Sequence, residues 1–146
     1  MATVTSVDGT EIAYKRSGRG PPLVLVHGGT VTHTWWELVR PGFGEDFTVY
    51  AMDRRGYGES GDADEYALER EVEDVVAVVD SIKEPARVVG GSFGALVSLE
   101  AVLTVNLSGL VLYEPPIPVD GHEFTTDAVL EELTARWTRR FQIVDW

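Results

Sequence analysis

The apolar positions of this chain follow one rhythm before Glu65 and another after it. Thr3 to Val7 and Glu11 to Lys15 are short β-type runs on either side of Asp8-Gly9, and Asp-Gly between such runs predicts a hairpin because both turn residues tolerate positive φ. Ser17 to Pro22 reads as a loop by composition. Leu23-Val24-Leu25-Val26 is continuously apolar, as suits a strand buried on both faces of a parallel sheet, and Phe47 to Met52 is a second such strand. Beyond Glu65, Leu68, Val72, Val75, Val76, Val79 and Ile82 recur at helical spacing, with Glu69, Arg70, Glu73, Asp74 and Asp80 between them. That spacing predicts an amphipathic helix, which we expect Pro85 to stop. Arg87 to Gly90 then predicts a strand, Phe93 to Leu103 an apolar helix, and Leu110 to Tyr113 a last strand before Pro115, Pro116 and Pro118. A hairpin followed by alternating strands and helices implies an α/β domain with a mostly parallel sheet. A further helix, capped by Asp127 and carrying Leu130, Leu133, Trp137 and Phe141 on one face, is expected outside the sheet core.

Composition narrows the chemistry. The 146 residues include no cysteine, which excludes disulfides, zinc–thiolate sites and thiol catalysis. Net charge is −12, from 24 acidic and 12 basic residues, a balance that repels phosphate backbones and anionic membrane surfaces. Met1 to Asp8 has no basic start followed by an apolar run, and no apolar stretch approaches the roughly 20 residues that span a bilayer. The expectation is a cytoplasmic protein that binds neither nucleic acid nor membrane.

Three motifs carry candidate chemistry, each directly after an apolar strand. Gly90-Gly91-Ser92-Phe93-Gly94 matches G-x-S-x-G, with a strand before it and a helix after it. That context places Ser92 on a tight strand-to-helix turn with positive φ, its hydroxyl lifted above the sheet edge. His27-Gly28-Gly29 ends the first buried strand and offers backbone N–H groups to a developing oxyanion, one such donor being worth on the order of 10²–10³ in turnover. Asp53-Arg54-Arg55-Gly56-Tyr57-Gly58-Glu59-Ser60 follows the second strand and by itself reads as a surface turn. Trp35 and Trp36 either line an apolar pocket or pack a helix onto the sheet.

Together, and in this order, the three motifs resemble the α/β-hydrolase superfamily, in its serine-nucleophile branch, from about Asp8 to about Pro116. The resemblance implies an eight-stranded sheet, here truncated after about the sixth strand, Leu110 to Glu114, with a cap inserted after it. Residues 1–118 would be the N-terminal part of the core and 119–146 the start of a cap-like helical segment. It implies Ser92 as the catalytic nucleophile, an oxyanion hole from the amides of Gly29 and Phe93, and a structural role for the Asp53–Ser60 loop. His27 belongs to the oxyanion loop and is not read as the base. Serine in place of aspartate as nucleophile separates the chain from the epoxide-hydrolase and haloalkane-dehalogenase branches. No cofactor and no metal are implied.

The mechanism of that family also needs an acid and a histidine, in chain order after the serine. By the resemblance the chain ends before the strands that carry them. Its only histidine after Ser92 is His122, in a loop after three prolines, which we read as a solvated loop residue. Glu114, at the end of the sixth strand, is a possible auxiliary acid. The expected function is a serine hydrolase acting on an ester or related acyl substrate through a Ser92 acyl-enzyme, incomplete as this chain alone. The alternative is a catalytically silent binding or interaction module. An apolar last strand left as a sheet edge invites pairing, so the expected partners are a small-molecule acyl substrate and either a second copy or a complementing chain.

Overall fold

Strand Pro22–Val26 (β3) lies in the middle of a six-stranded sheet, and its pleat explains its composition. Leu23 and Leu25 pack with Trp36, Val49 and Ala51 on one face, while Val24 and Val26 pack with Ile12, Val75, Val78, Val88 and Val97 on the other. A strand with two dry faces needs an unbroken apolar run. The computed structural model describes residues 1–117, and Met1–Pro115 form one compact unit. The helix expected after Asp127, and the cap-like segment 119–146 as a whole, lie outside the described residues.

The remaining strands are β1 (Ala2–Thr5), β2 (Glu11–Gly18), β4 (Thr48–Met52), β5 (Arg87–Gly91) and β6 (Gly109–Tyr113), in the order β1-β2-β4-β3-β5-β6. β1 pairs antiparallel with β2 and β2 with β4, while β4, β3, β5 and β6 run parallel. The Asp8-Gly9 turn closes the hairpin, with Gly9 at φ +91° and the Asp8 carboxylate accepting the Thr10 N–H at 3.0 Å. Helices α2 (Leu68–Ser81) and α3 (Phe93–Ala101) cover the Val24/Val26 face. The opposite face is covered by a 3₁₀ turn at His33–Trp36 and a short helix α1 (Arg40–Asp46), neither of which the apolar rhythm signals.

Several boundaries differ from the sequence expectation. The strands extend into the expected Ser17–Pro22 loop, leaving only Arg19 to Pro21 between them. Helix α2 ends at Ser81, before Pro85, because Lys83 turns the chain through φ +64°. Among the described residues β6 pairs only with β5, so this apolar strand lies at an edge, with Val111 and Tyr113 exposed.

Register decides where chemistry can gather. Val26 stands opposite both Met52 and Gly90, and Gly91 opposite Tyr113. The residues that follow β3, β4, β5 and β6, namely His27, Asp53, Ser92 and Glu114, therefore share the carboxyl edge of the sheet, where open α/β sheets bind ligands.

Candidate active site

Ser92 joins β5 to α3 with φ +50° and ψ −123°, a backbone state that costs a non-glycine residue on the order of 1–3 kcal/mol. Close crossing on both sides imposes it. A Cβ on Gly90 would fall 2.6 Å from Ala95 Cα, and one on Gly94 would fall 2.4 Å from the His27 carbonyl oxygen and 2.5 Å from that of Val26. Only glycine lets strand, turn and helix meet this tightly. The Ser92 N–H donates to the Tyr113 carbonyl at 2.9 Å, tying the turn to the end of β6. Its side chain is exposed, and Gly28 lies against it: a Cβ there would sit 3.0 Å from Ser92 Cβ and 3.5 Å from Oγ.

The His27-Gly28-Gly29 loop rests on buried polar groups. His27 is fully buried; its Nδ1–H donates to the Gly28 carbonyl at 2.7 Å and its Nε2 accepts the Arg54 N–H at 3.0 Å. Both bonds require a neutral ring with the proton on Nδ1. Burial pushes its pKa down to about 4; the Arg54 charge acts the same way, and the bond to Gly28 opposes it. Arg54, also buried, grips Glu71 of α2 with Nε–Oε2 2.7 Å and Nη2–Oε1 2.5 Å, and donates from Nη1 to the Gly28 carbonyl at 2.9 Å. Its guanidinium lies over the rings of Tyr57 (5.1 Å) and Phe93 (4.7 Å).

The Asp53–Ser60 loop is more deeply anchored than a surface turn. Asp53 is fully buried and accepts the backbone N–H of His33 (2.7 Å), the ring Nδ1–H of His33 (2.9 Å) and the N–H of Glu59 (3.0 Å). Gly58, at φ +56°, leaves room for that carboxylate, since a Cβ there would lie 2.2 Å from Asp53 Oδ2. Arg55 forks onto Asp74 with two 2.7 Å bonds and reaches Asp8 at 2.9 Å. That bond and the Thr10 N–H hold the Asp8 carboxyl far below the usual carboxylate range. Asp74 and Glu71, polar positions of α2, are thus buried ion-pair partners, and one helical stripe joins them to Val75 and Val78.

The two tryptophans separate. Trp36 is buried in the core with Leu25 and Val49, which answers the packing reading. Trp35 is partly exposed, with its ring where a Gly91 side chain would stand, 4.8 Å from Trp36 and 6.4 Å from Tyr113 between ring centroids. Gly29 and Phe93 line one cavity of about 650 Å³, together with Arg54, Tyr57, Asp62 and Tyr66. Phe93 opens α3, so its N–H has no carbonyl one turn earlier within the helix. Glu114 follows β6 at φ +47° and is exposed. His122 lies outside the described residues. Among those described, the histidines are His27 and His33, and both have bonded partners. Sequence reasoning missed His33, whose tie to Asp53 depends on two loops meeting, and the Arg54–Glu71 pair, which joins residues from a loop and a helix.

The sequence profile described as "Alpha/beta hydrolase family" matches residues 23–145. The 2-hydroxy-6-oxo-6-(2'-aminophenyl)hexa-2,4-dienoic acid hydrolase of Metapseudomonas resinovorans is 26% identical over an alignment of 155 residues, covering 94% of this chain and 53% of that protein. Among solved structures, an α/β hydrolase from Sphaerobacter thermophilus is 41% identical with a TM-score of 0.79, over 92% of this chain and 55% of that one. The esterase RhEst1 from Rhodococcus is 33% identical with a TM-score of 0.70, over 76% of this chain and 44% of that one. The chain thus spans about half the length of these relatives. The profile match, covering most of the chain and containing the serine turn and both preceding loops, settles the family: the chain belongs to the alpha/beta hydrolases.

Proposed function

We propose that this chain carries the nucleophile and oxyanion half of a serine hydrolase for ester or related acyl substrates. Ser92 Oγ attacks the acyl carbon, the carbonyl electrons move to oxygen, and the N–H groups of Gly29 and Phe93 stabilise that oxyanion. Collapse expels the alcohol or amine and leaves an acyl-enzyme, which water then hydrolyses. The proton from Ser92 must pass to a base. His27 is occupied by Gly28 and Arg54 and His33 by Asp53, so in this reading the base comes from outside residues 1–117. Glu114, beside the carbonyl that binds the Ser92 N–H, is an auxiliary acid in the same reading. The observation that carries it is Ser92 at φ +50° on a strand-to-helix turn, exposed, with Gly28 against its side chain. A relative supports the substrate class: a pimeloyl-[acyl-carrier protein] methyl ester esterase of Methylococcus capsulatus is 38% identical over 58% of this chain.

Loss of the histidine from such a triad removes on the order of 10⁶ in turnover, so we infer that the 146-residue chain alone hydrolyses p-nitrophenyl acetate weakly. The outer edge of β6, unpaired among the described residues, is where a second copy or a complementing chain would pair. The expected result is a small rate that Ser92→Ala abolishes. Robust turnover lost in both Ser92→Ala and His122→Ala would overturn the inference of incompleteness, and no dependence on Ser92 would favour the silent binding module.

A further inference from the structure

We infer that Arg54, together with His27, is a positioning residue that fixes the Gly28–Gly29 peptide plane and so aims the Gly29 N–H at the oxyanion beside Ser92. The inference rests on the serine-hydrolase reading above and adds the device that makes one of its donors rigid. The Gly28 carbonyl oxygen accepts two hydrogen bonds, 2.9 Å from Arg54 Nη1 and 2.7 Å from His27 Nδ1, both from buried side chains. That oxygen and the Gly29 N–H belong to one peptide unit, which is trans, since no peptide bond in the described residues is cis. In a planar trans unit the two groups point in opposite directions. Holding the oxygen on the buried cation therefore turns the N–H away from it.

On the Gly29 side, sterics do not hold this peptide. Nothing lies within 4 Å of where a Gly29 Cβ would stand, and Gly28 has no side chain, because Ser92 occupies that space. Two adjacent glycines leave the plane free to rotate unless hydrogen bonds fix it. Arg54 is itself immobilised, by its fork on Glu71 and by the rings of Tyr57 and Phe93. It thus holds the carbonyl next to one proposed donor and lies over the side chain of the other. Lysine cannot do this: satisfying Glu71 through two atoms while a third reaches Gly28 needs the planar fork of arginine.

The test uses the ¹⁵N-labelled 146-residue chain in a weakly aligning medium, where the Gly29 N–H residual dipolar coupling reports the plane. Arg54→Met combined with Glu71→Leu removes the Arg54 arm of the clamp, leaving the His27 bond, without leaving a buried carboxylate unpaired, and Arg54→Lys is the conservative variant. The Gly29 coupling should shrink clearly in the double variant, where His27 alone holds the carbonyl, and be intermediate in Arg54→Lys, while couplings in β3, β4 and β5 persist. An unchanged Gly29 coupling would overturn the inference. In parallel, phosphonylation of Ser92 by a fluorophosphonate, followed by intact mass, should slow by about tenfold to a hundredfold in the double variant, less than the roughly 10²–10³ lost when a single oxyanion donor is removed, because the donor is loosened and not deleted. A reduced coupling with unchanged labelling would also overturn it, because the clamp would then not serve the reaction. Labelling of Ser92→Ala as fast as wild type would instead sink the serine-hydrolase reading itself, a failure that the coupling cannot imitate.

Discussion

Gly94→Ala adds one methyl group where α3 crosses the end of β3. Its Cβ would lie 2.4 Å from the His27 carbonyl oxygen, 2.5 Å from that of Val26 and 2.9 Å from the His27 carbonyl carbon. Ordinary contact begins at 3.4 Å, so helix or strand must retreat by about 1 Å. All three atoms are backbone, and β3 is bonded on both sides, to β4 and β5, so neither partner yields as a side chain would. Overpacking a core costs about 1–3 kcal/mol, and rigid neighbours place this site at the upper end. The better helix propensity of alanine returns at most about 1 kcal/mol. The net expectation is a loss of about 2 kcal/mol, read by urea denaturation with an unchanged m-value. Gly42→Ala in α1 is the control, since nothing lies within 4 Å of its would-be Cβ; it should be neutral or stabilising by up to about 1 kcal/mol. If Gly94→Ala proved as stable as Gly42→Ala, the close crossing that shapes the serine turn would be wrong.

Two further outcomes follow from the buried loop and from the β6 edge, unpaired among the described residues. His27 falls from an ordinary 6.5 to about 4 on folding, so the unfolded chain binds the extra proton between those values and stability falls as pH drops from about 6.5 to about 4. At about 1.4 kcal/mol per unit this amounts to about 3 kcal/mol, fully present above pH 6.5; histidine NMR should show one ring titrating near 4, and His27→Gln should flatten the stability profile over that window. The edge strand β6 should associate: light scattering after size exclusion at micromolar concentration is expected to show more than one chain per particle, and Val111→Lys, at an exposed edge position, should shift it towards monomer. A monomeric wild-type chain would contradict that expectation.

Apolar rhythm revealed the elements whose burial is uniform. β3 and β4 were legible because both faces of each are dry, and α2 because its valines recur every three or four residues. α1 was not legible: seven residues containing Pro41, Gly42 and Gly44 have no apolar stripe, and only a proline at the first turn hints at a helix. The serine turn was readable because its glycines answer a local steric demand. The polar scaffold beneath it was not, since Glu71 and Asp74 look like solvent-facing positions until the fold brings Arg54 and Arg55 onto them. Pairing across elements is a property of packing, and no local pattern in the chain records it.

Ser92 is the reacting group on which the proposed chemistry depends. Prolonged incubation of the 146-residue chain with a fluorophosphonate, followed by peptide mapping, is expected to place a slow covalent adduct on Ser92, to leave Ser60 and Ser98 unmodified, and to give no adduct in Ser92→Ala. An adduct distributed over other serines, or labelling that persists unchanged in Ser92→Ala, would contradict the assignment of this strand-to-helix turn as a nucleophile site.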